Sequence, residues 1–155
     1  MGLQRKQGDQ RKHQRSDNQL NVYKPLKRIL ICEEHVAITG NFIDAAILNY
    51  MIECTDLAHD FDKIVSDATK HETLRSAAYP EKSNGWFRKS ANEISEETML
   101  GMSHSSIMKH VKKLVSLGFI EERSNPNSKL DKAKQYRVNT NNIADAVYSF
   151  IELRT

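Results

Sequence analysis

Gly101-Met102-Ser103-His104-Ser105-Ser106-Ile107-Met108-Lys109-His110-Val111-Lys112-Lys113-Leu114-Val115-Ser116-Leu117-Gly118-Phe119-Ile120-Glu121 is the stretch that decides the fold. Ser103 stands where a helix N-cap belongs, since its hydroxyl can accept an otherwise orphaned backbone N–H. The helix it opens runs over 103–117. Gly118 then takes the place where a C-terminal glycine permits a left-handed turn. At about 100° per residue, Ile107, Val111, Leu114 and Val115 share one face. Ser105, Lys109, Lys112 and Ser116 share the other, with Ser106 and Lys113 at its flanks. That polar face carries three lysines, three serines and no acid, whereas a helix that merely meets solvent more often mixes signs in i, i+4 pairs.

Upstream, Gly85-Trp86-Phe87-Arg88-Lys89 is a short aromatic strand-like run. Ser90-Ala91-Asn92-Glu93 follows as a capping box, predicting a short helix through Ile94 and Thr98. Gly101 allows the turn between the two helices. Downstream, Phe119–Arg123 reads as a strand, 124–133 as a polar loop with Pro126, Asn127, Lys129 and Lys132, and Lys134–Val138 as a second strand. Short helix, turn, second helix and a hairpin with a basic tip predict a mainly α chain with a small β-hairpin sheet. The order is that of a winged helix-turn-helix in the α+β class, with the helix-turn-helix and wing at 85–139. A major groove about 12 Å wide accepts one helix, and a wing sets cations on the neighbouring phosphates. The residues expected to face DNA are therefore Ser103, Ser105, Ser106, Lys109, Lys112 and Lys113 on the helix, and Lys129 and Lys132 on the wing.

The run at 101–121 resembles the "GLS-x-S-T-V…L-x-x-L…LG-x-I" pattern of bacterial winged-helix proteins. Ile47-Leu48-Asn49-Tyr50, Gly85-Trp86-Phe87 and Lys134-Gln135-Tyr136-Arg137-Val138-Asn139 extend the resemblance to small replication or regulatory proteins of phages and mobile elements. It covers about residues 29–143. It implies a double-stranded DNA-binding protein, either a transcriptional regulator of a phage, plasmid or other mobile element or an accessory replication-initiation protein at an origin. It places Ser105, Ser106, Lys109 and Lys113 on the DNA, with the wing carried by Lys129 and Lys132. Lys109 stands where the family often has arginine, whose planar fork reads guanine bidentately, so weaker sequence discrimination is expected.

The 155 residues suit one domain. A net charge of +3 hides three blocks. Residues 1–28 carry eight Lys/Arg against two acids, residues 29–70 two against eight, and residues 71–155 thirteen against ten. Residues 1–20 lack apolar periodicity, and 1–24 are expected to form a disordered basic arm, which is either a solvated tail or a nucleic-acid contact. The folded domain is expected over 25–155. Residues 27–38 read as a short strand or an irregular apolar segment. Residues 42–54 form a helix apolar on most sides, and 60–70 a second, weaker helical pattern. Residues 71–84 lose periodicity and read as a loop. A terminal amphipathic helix is expected within 141–154, with Ile143, Val147, Phe150 and Ile151 on one face. Paired with 42–54, its 142–153 stretch would form a homodimer seam.

Trp86 reads as core, Tyr136 as sheet packing, and Cys32 and Cys54 as buried small hydrophobes. A zinc pair of His104 and His110 is disfavoured by the i, i+6 spacing. No cofactor or metal site is expected. No P-loop, GxGxxG, HExxH or Gly-x-Ser-x-Gly motif occurs, so an enzyme is not expected. No run reaches the roughly 18 apolar residues of a membrane span, and no apolar stretch follows the basic N-terminus as in a secretory signal. A reducing cytoplasm is the expected compartment. A protein-interaction module on the same scaffold is the alternative to DNA binding, using the acidic 29–70 block and the apolar 42–54 helix.

Overall fold

Gly40 sets the first corner of the fold. Its φ of 92° is left-handed, and its N–H closes a helical turn onto the Val36 carbonyl. In the computed structural model, which describes residues 25–70 and 81–155, that turn ends helix α1, Glu33–Thr39. The basic arm read at 1–24 and most of the loop read at 71–84 lie outside the described residues. The segment expected as a strand or irregular run at 27–38 is irregular only to Cys32. Glu33 and Glu34 in the first turn suit the positive end of the helix dipole, and Gly40 supplies the stop.

Helix α2 spans Phe42–Lys70, joining the two helical patterns read at 42–54 and 60–70. Nothing in Thr55-Asp56-Leu57-Ala58-His59 breaks a helix, since no glycine or proline intervenes. Its first half is the centre of the core: Ala45, Ala46, Ile47, Leu48 and Met51 are fully buried. The apolar face of 42–54, expected as one half of a dimer seam, packs within the chain itself. Its second half is anchored through Asp62, whose carboxylate accepts the backbone N–H groups of Ser83 and Asn84.

That anchor delivers the chain to strand β1, Phe87–Arg88. Helix α3, Ala91–Glu97, opens on the expected capping box. The Ser90 hydroxyl accepts the Glu93 N–H at 3.2 Å, and the Glu93 carboxylate accepts the Ser90 N–H at 2.7 Å. Helix α4 follows over His104–Ser116, then strands β2, Ile120–Arg123, and β3, Gln135–Val138, and finally helix α5, Thr140–Glu152. The described residues are thus mainly helical with one antiparallel sheet in the order β1-β3-β2. Ile120 faces Val138, and Phe87 faces Tyr136. Tyr136 and Val138 turn inward onto Ile47, Met51, Ile107, Leu114 and Ile143, giving one core shared by every layer.

Trp86 is corrected from core to surface. It is half-buried outside the core cluster, with the guanidinium groups of Arg123 and Arg137 lying 4.1 and 4.6 Å from its ring centre. Cys54 is buried as expected and Cys32 half-buried. Among the described residues no helix is long and apolar enough to cross a membrane.

Candidate nucleic-acid interface

Helix α4 is oriented by its two ends and its inner face. At its start the Ser103 hydroxyl accepts the Ser106 N–H at 3.3 Å and donates to the Ser106 hydroxyl at 3.0 Å. Two of the serines expected on DNA therefore build the cap, with Ser103 exposed and Ser106 half-buried. Ile107, Val111 and Leu114 are fully buried beneath them. Ser105, Lys109 and Lys112 stand exposed on the outer face. Among the described residues neither lysine has an acidic partner.

Lys113 is used differently. Its ammonium group donates to the Thr39 carbonyl at 2.8 Å and forms an ion pair with Asp44, which is fully buried. Lys113, expected to face DNA, stays 43 % exposed while its charge compensates a carboxylate that burial would otherwise leave unpaired. His110 Nδ1 and the Asn41 side-chain amide complete the shell around Asp44. Burial pushes the Asp44 carboxyl up, but hydrogen bonds from Lys113, His110 and Asn41 outweigh it and hold the group below its ordinary range. The cluster fastens the outer face of α4 to the corner between α1 and α2. The sequence held one sign of it, a lone acid between Ile43 and Ala45 in an apolar helix.

Asp131 organises the loop between β2 and β3. Arg88 grips both of its oxygens, the Nη2–Oδ1 contact measuring 2.8 Å. The Asn125 side-chain amide and the Ala133 N–H each donate to Asp131 at 3.1 Å. The Arg88 hydrogen bonds, with that from Asn125, hold the Asp131 carboxyl far below its usual range. The loop is thus tied to β1 across the sheet edge. It presents Lys129 and Lys132, both exposed and without an acidic partner among the described residues, and between them Leu130 at 93 % exposure. Neither Asp131 as hub nor Leu130 as the exposed tip was read from the sequence. The alternation Lys-Leu-Asp-Lys was the available sign.

Helix α4 and this loop meet at one cleft of about 310 Å³. His104 and Met108 line it from the helix, Lys132 and Lys134 from the loop side, and Lys89 from the approach to α3. Lys89 is paired with Glu97 at 2.9 Å and Lys134 with Glu122 at 2.6 Å. Lys132 is left without an acidic partner among the described residues. At the base of the loop Arg123 donates to the Gln135 amide oxygen at 2.8 Å while stacking on Trp86, so a further cation is held without a carboxylate.

No family model, curated protein or solved structure matches the chain.

Proposed function

We propose that the chain is a winged helix-turn-helix protein that binds double-stranded DNA and acts as a transcriptional regulator of a phage, plasmid or other mobile element. One observation carries the reading. The exposed start of α4 and the basic β2–β3 loop share a cleft and, among the described residues, leave Lys109, Lys112, Lys129 and Lys132 without acidic partners. Four cations kept free of carboxylates on neighbouring elements suit a polyanion, because each that neutralises a phosphate releases condensed counterions. The strand order β1-β3-β2 behind two successive helices supports the winged-helix assignment. In this arrangement α4 enters the major groove with Ser105 and Lys109 toward base edges. Lys129 and Lys132 take the backbone beside it. The regulatory role rests on the resemblance of 101–121 and 134–139.

Fluorescence anisotropy on a random duplex and on the DNA flanking the protein's own gene, over a salt series, tests it. The expected result is salt-sensitive binding with preference for the flanking DNA. Lys132→Ala should lower the salt slope by about 0.9, and Lys109→Ala should weaken the preference for the flanking DNA. Absence of binding at low salt would defeat the reading and favour the interaction-module alternative.

A further inference from the structure

The second half of α2 carries an apolar stripe that the other described residues leave exposed. Leu57 is 69 % exposed, Phe61 48 % and Ile64 66 %. Their spacing of four and three residues puts them on one face. The stripe runs into a groove of about 360 Å³ walled by Tyr50, Cys54, Leu57 and Phe87, with Glu53 at its rim. At about 100° per residue Glu53, Asp60 and Asp67 fall along one flank of the stripe. Residues 53–70 hold five acids and two lysines, a net of 2 − 5 = −3. The two lysines, Lys63 and Lys70, approach Asp60 and Asp67 only at 3.5 and 3.6 Å in exposed i, i+3 pairs, which hold little.

A second copy of this helix fits the stripe poorly: antiparallel pairing sets acidic flank against acidic flank, and parallel pairing sets the acids against the flank of Cys54, Ala58 and Val65, which carries no cation. The chemistry asked for is a segment with apolar anchors and a run of cations. Residues 1–24 have that composition: Leu20, Val22 and Tyr23, then Arg11, Lys12 and Arg15, with six Lys/Arg against two acids overall. Their point of attachment also fits. Pro25 and Leu26 line a cleft with Glu53, the same residue that rims the groove. Asp67 lies roughly 21 Å further along the helix at about 1.5 Å per residue. A segment of this length spans that distance easily at about 3.3 Å per extended residue. Tethering beside the groove raises the effective concentration to the order of millimolar, so weak contacts suffice.

We propose that the α2 stripe is the docking surface for the chain's own residues 1–24, with Leu20, Val22 and Tyr23 in the groove and Arg11, Lys12 and Arg15 along the acidic flank. The inference needs no DNA and stands apart from the functional reading above. NMR on the full chain at low salt tests it. The expected result is NOEs from the Leu20 and Val22 methyl groups to the Phe61 ring, lost at high salt and in Asp60→Asn/Asp67→Asn. Tryptic cleavage after Arg11, Lys12 and Arg15 should be several-fold faster in that double variant than in the parent. Absence of the NOEs at low salt overturns the proposal. So does their appearance only between chains in an isotope-filtered experiment on mixed labelled and unlabelled protein, which would assign the stripe to a second copy's arm.

Discussion

Lys109 and Lys113 lie one helical turn apart and do opposite work. Lys113 neutralises a fully buried carboxylate, so Lys113→Ala leaves Asp44 short of a cation and should cost about 1–3 kcal/mol in urea denaturation. Lys109→Ala removes an exposed cation with no partner among the described residues and should stay within about 0.5 kcal/mol of the parent. On the proposed reading, DNA affinity should fall for Lys109→Ala because a major-groove donor is lost. Equal stability losses in the two variants would sink this distinction. Asp44 also sets a pH dependence. Its carboxyl is held below the ordinary value of 3.8, so the stabilisation is complete above that value and fades as pH falls through the folded-state value. Urea midpoints measured from about pH 6 to about pH 3 should drop less steeply for Asp44→Asn than for the parent, and parallel curves would contradict the assignment. The sign of the α4 surface was legible in the sequence, since lysines and serines without acids need no partner to be noticed. The fate of Lys113 was not. Its angular position at the flank suits either role, and the acid that claims it lies 69 residues away.

Among the elements, those with local signals were legible and those that depend on distant support were not. Ser90 and Glu93 announce the start of α3 within four residues, and Ser90→Ala should cost about 1 kcal/mol of thermal or urea stability. Helix α1 gave no such sign. Seven residues are too few to hold a helix alone, and α1 stands because it packs on α2 and α5. The single long α2 reads as two patterns because beyond Thr55 its buried face narrows to Asp62 and Val65 while Leu57, Phe61 and Ile64 lie exposed. The β2–β3 loop shows the same contrast: its polarity was legible, but its order comes from Arg88, 43 residues before Asp131. Asp131→Ala should free the loop, seen as faster amide exchange at Ala133 and, on the proposed reading, a several-fold loss of DNA affinity from a less ordered loop. Unchanged exchange at Ala133 would show that the turn holds itself.

At the scale of the whole molecule, α2 is the scaffold on which the other elements assemble. Val138 donates its N–H to the Thr55 hydroxyl across 83 residues of sequence, and Tyr50 bonds Glu97 across 47. Such non-local contacts have no signature in a local pattern, which is why the order of elements was legible and their mutual placement was not. Hydrogen exchange should divide α2 near Thr55. Amides of residues 46–55 should be protected close to the global limit, and those of 57–70 should exchange through smaller openings. Uniform protection along the helix would contradict that division. The same long spans have a consequence during synthesis. Chains fold as they leave the ribosome, at about 5–20 residues per second. Helix α2 is complete once residue 70 has emerged, yet the side chains that cover Ile47, Leu48 and Met51 arrive only with Ile94, Ile107, Leu114, Tyr136 and Ile143. For several seconds the nascent chain carries a bare apolar helix, the kind of surface that chaperones hold and that aggregates when they do not.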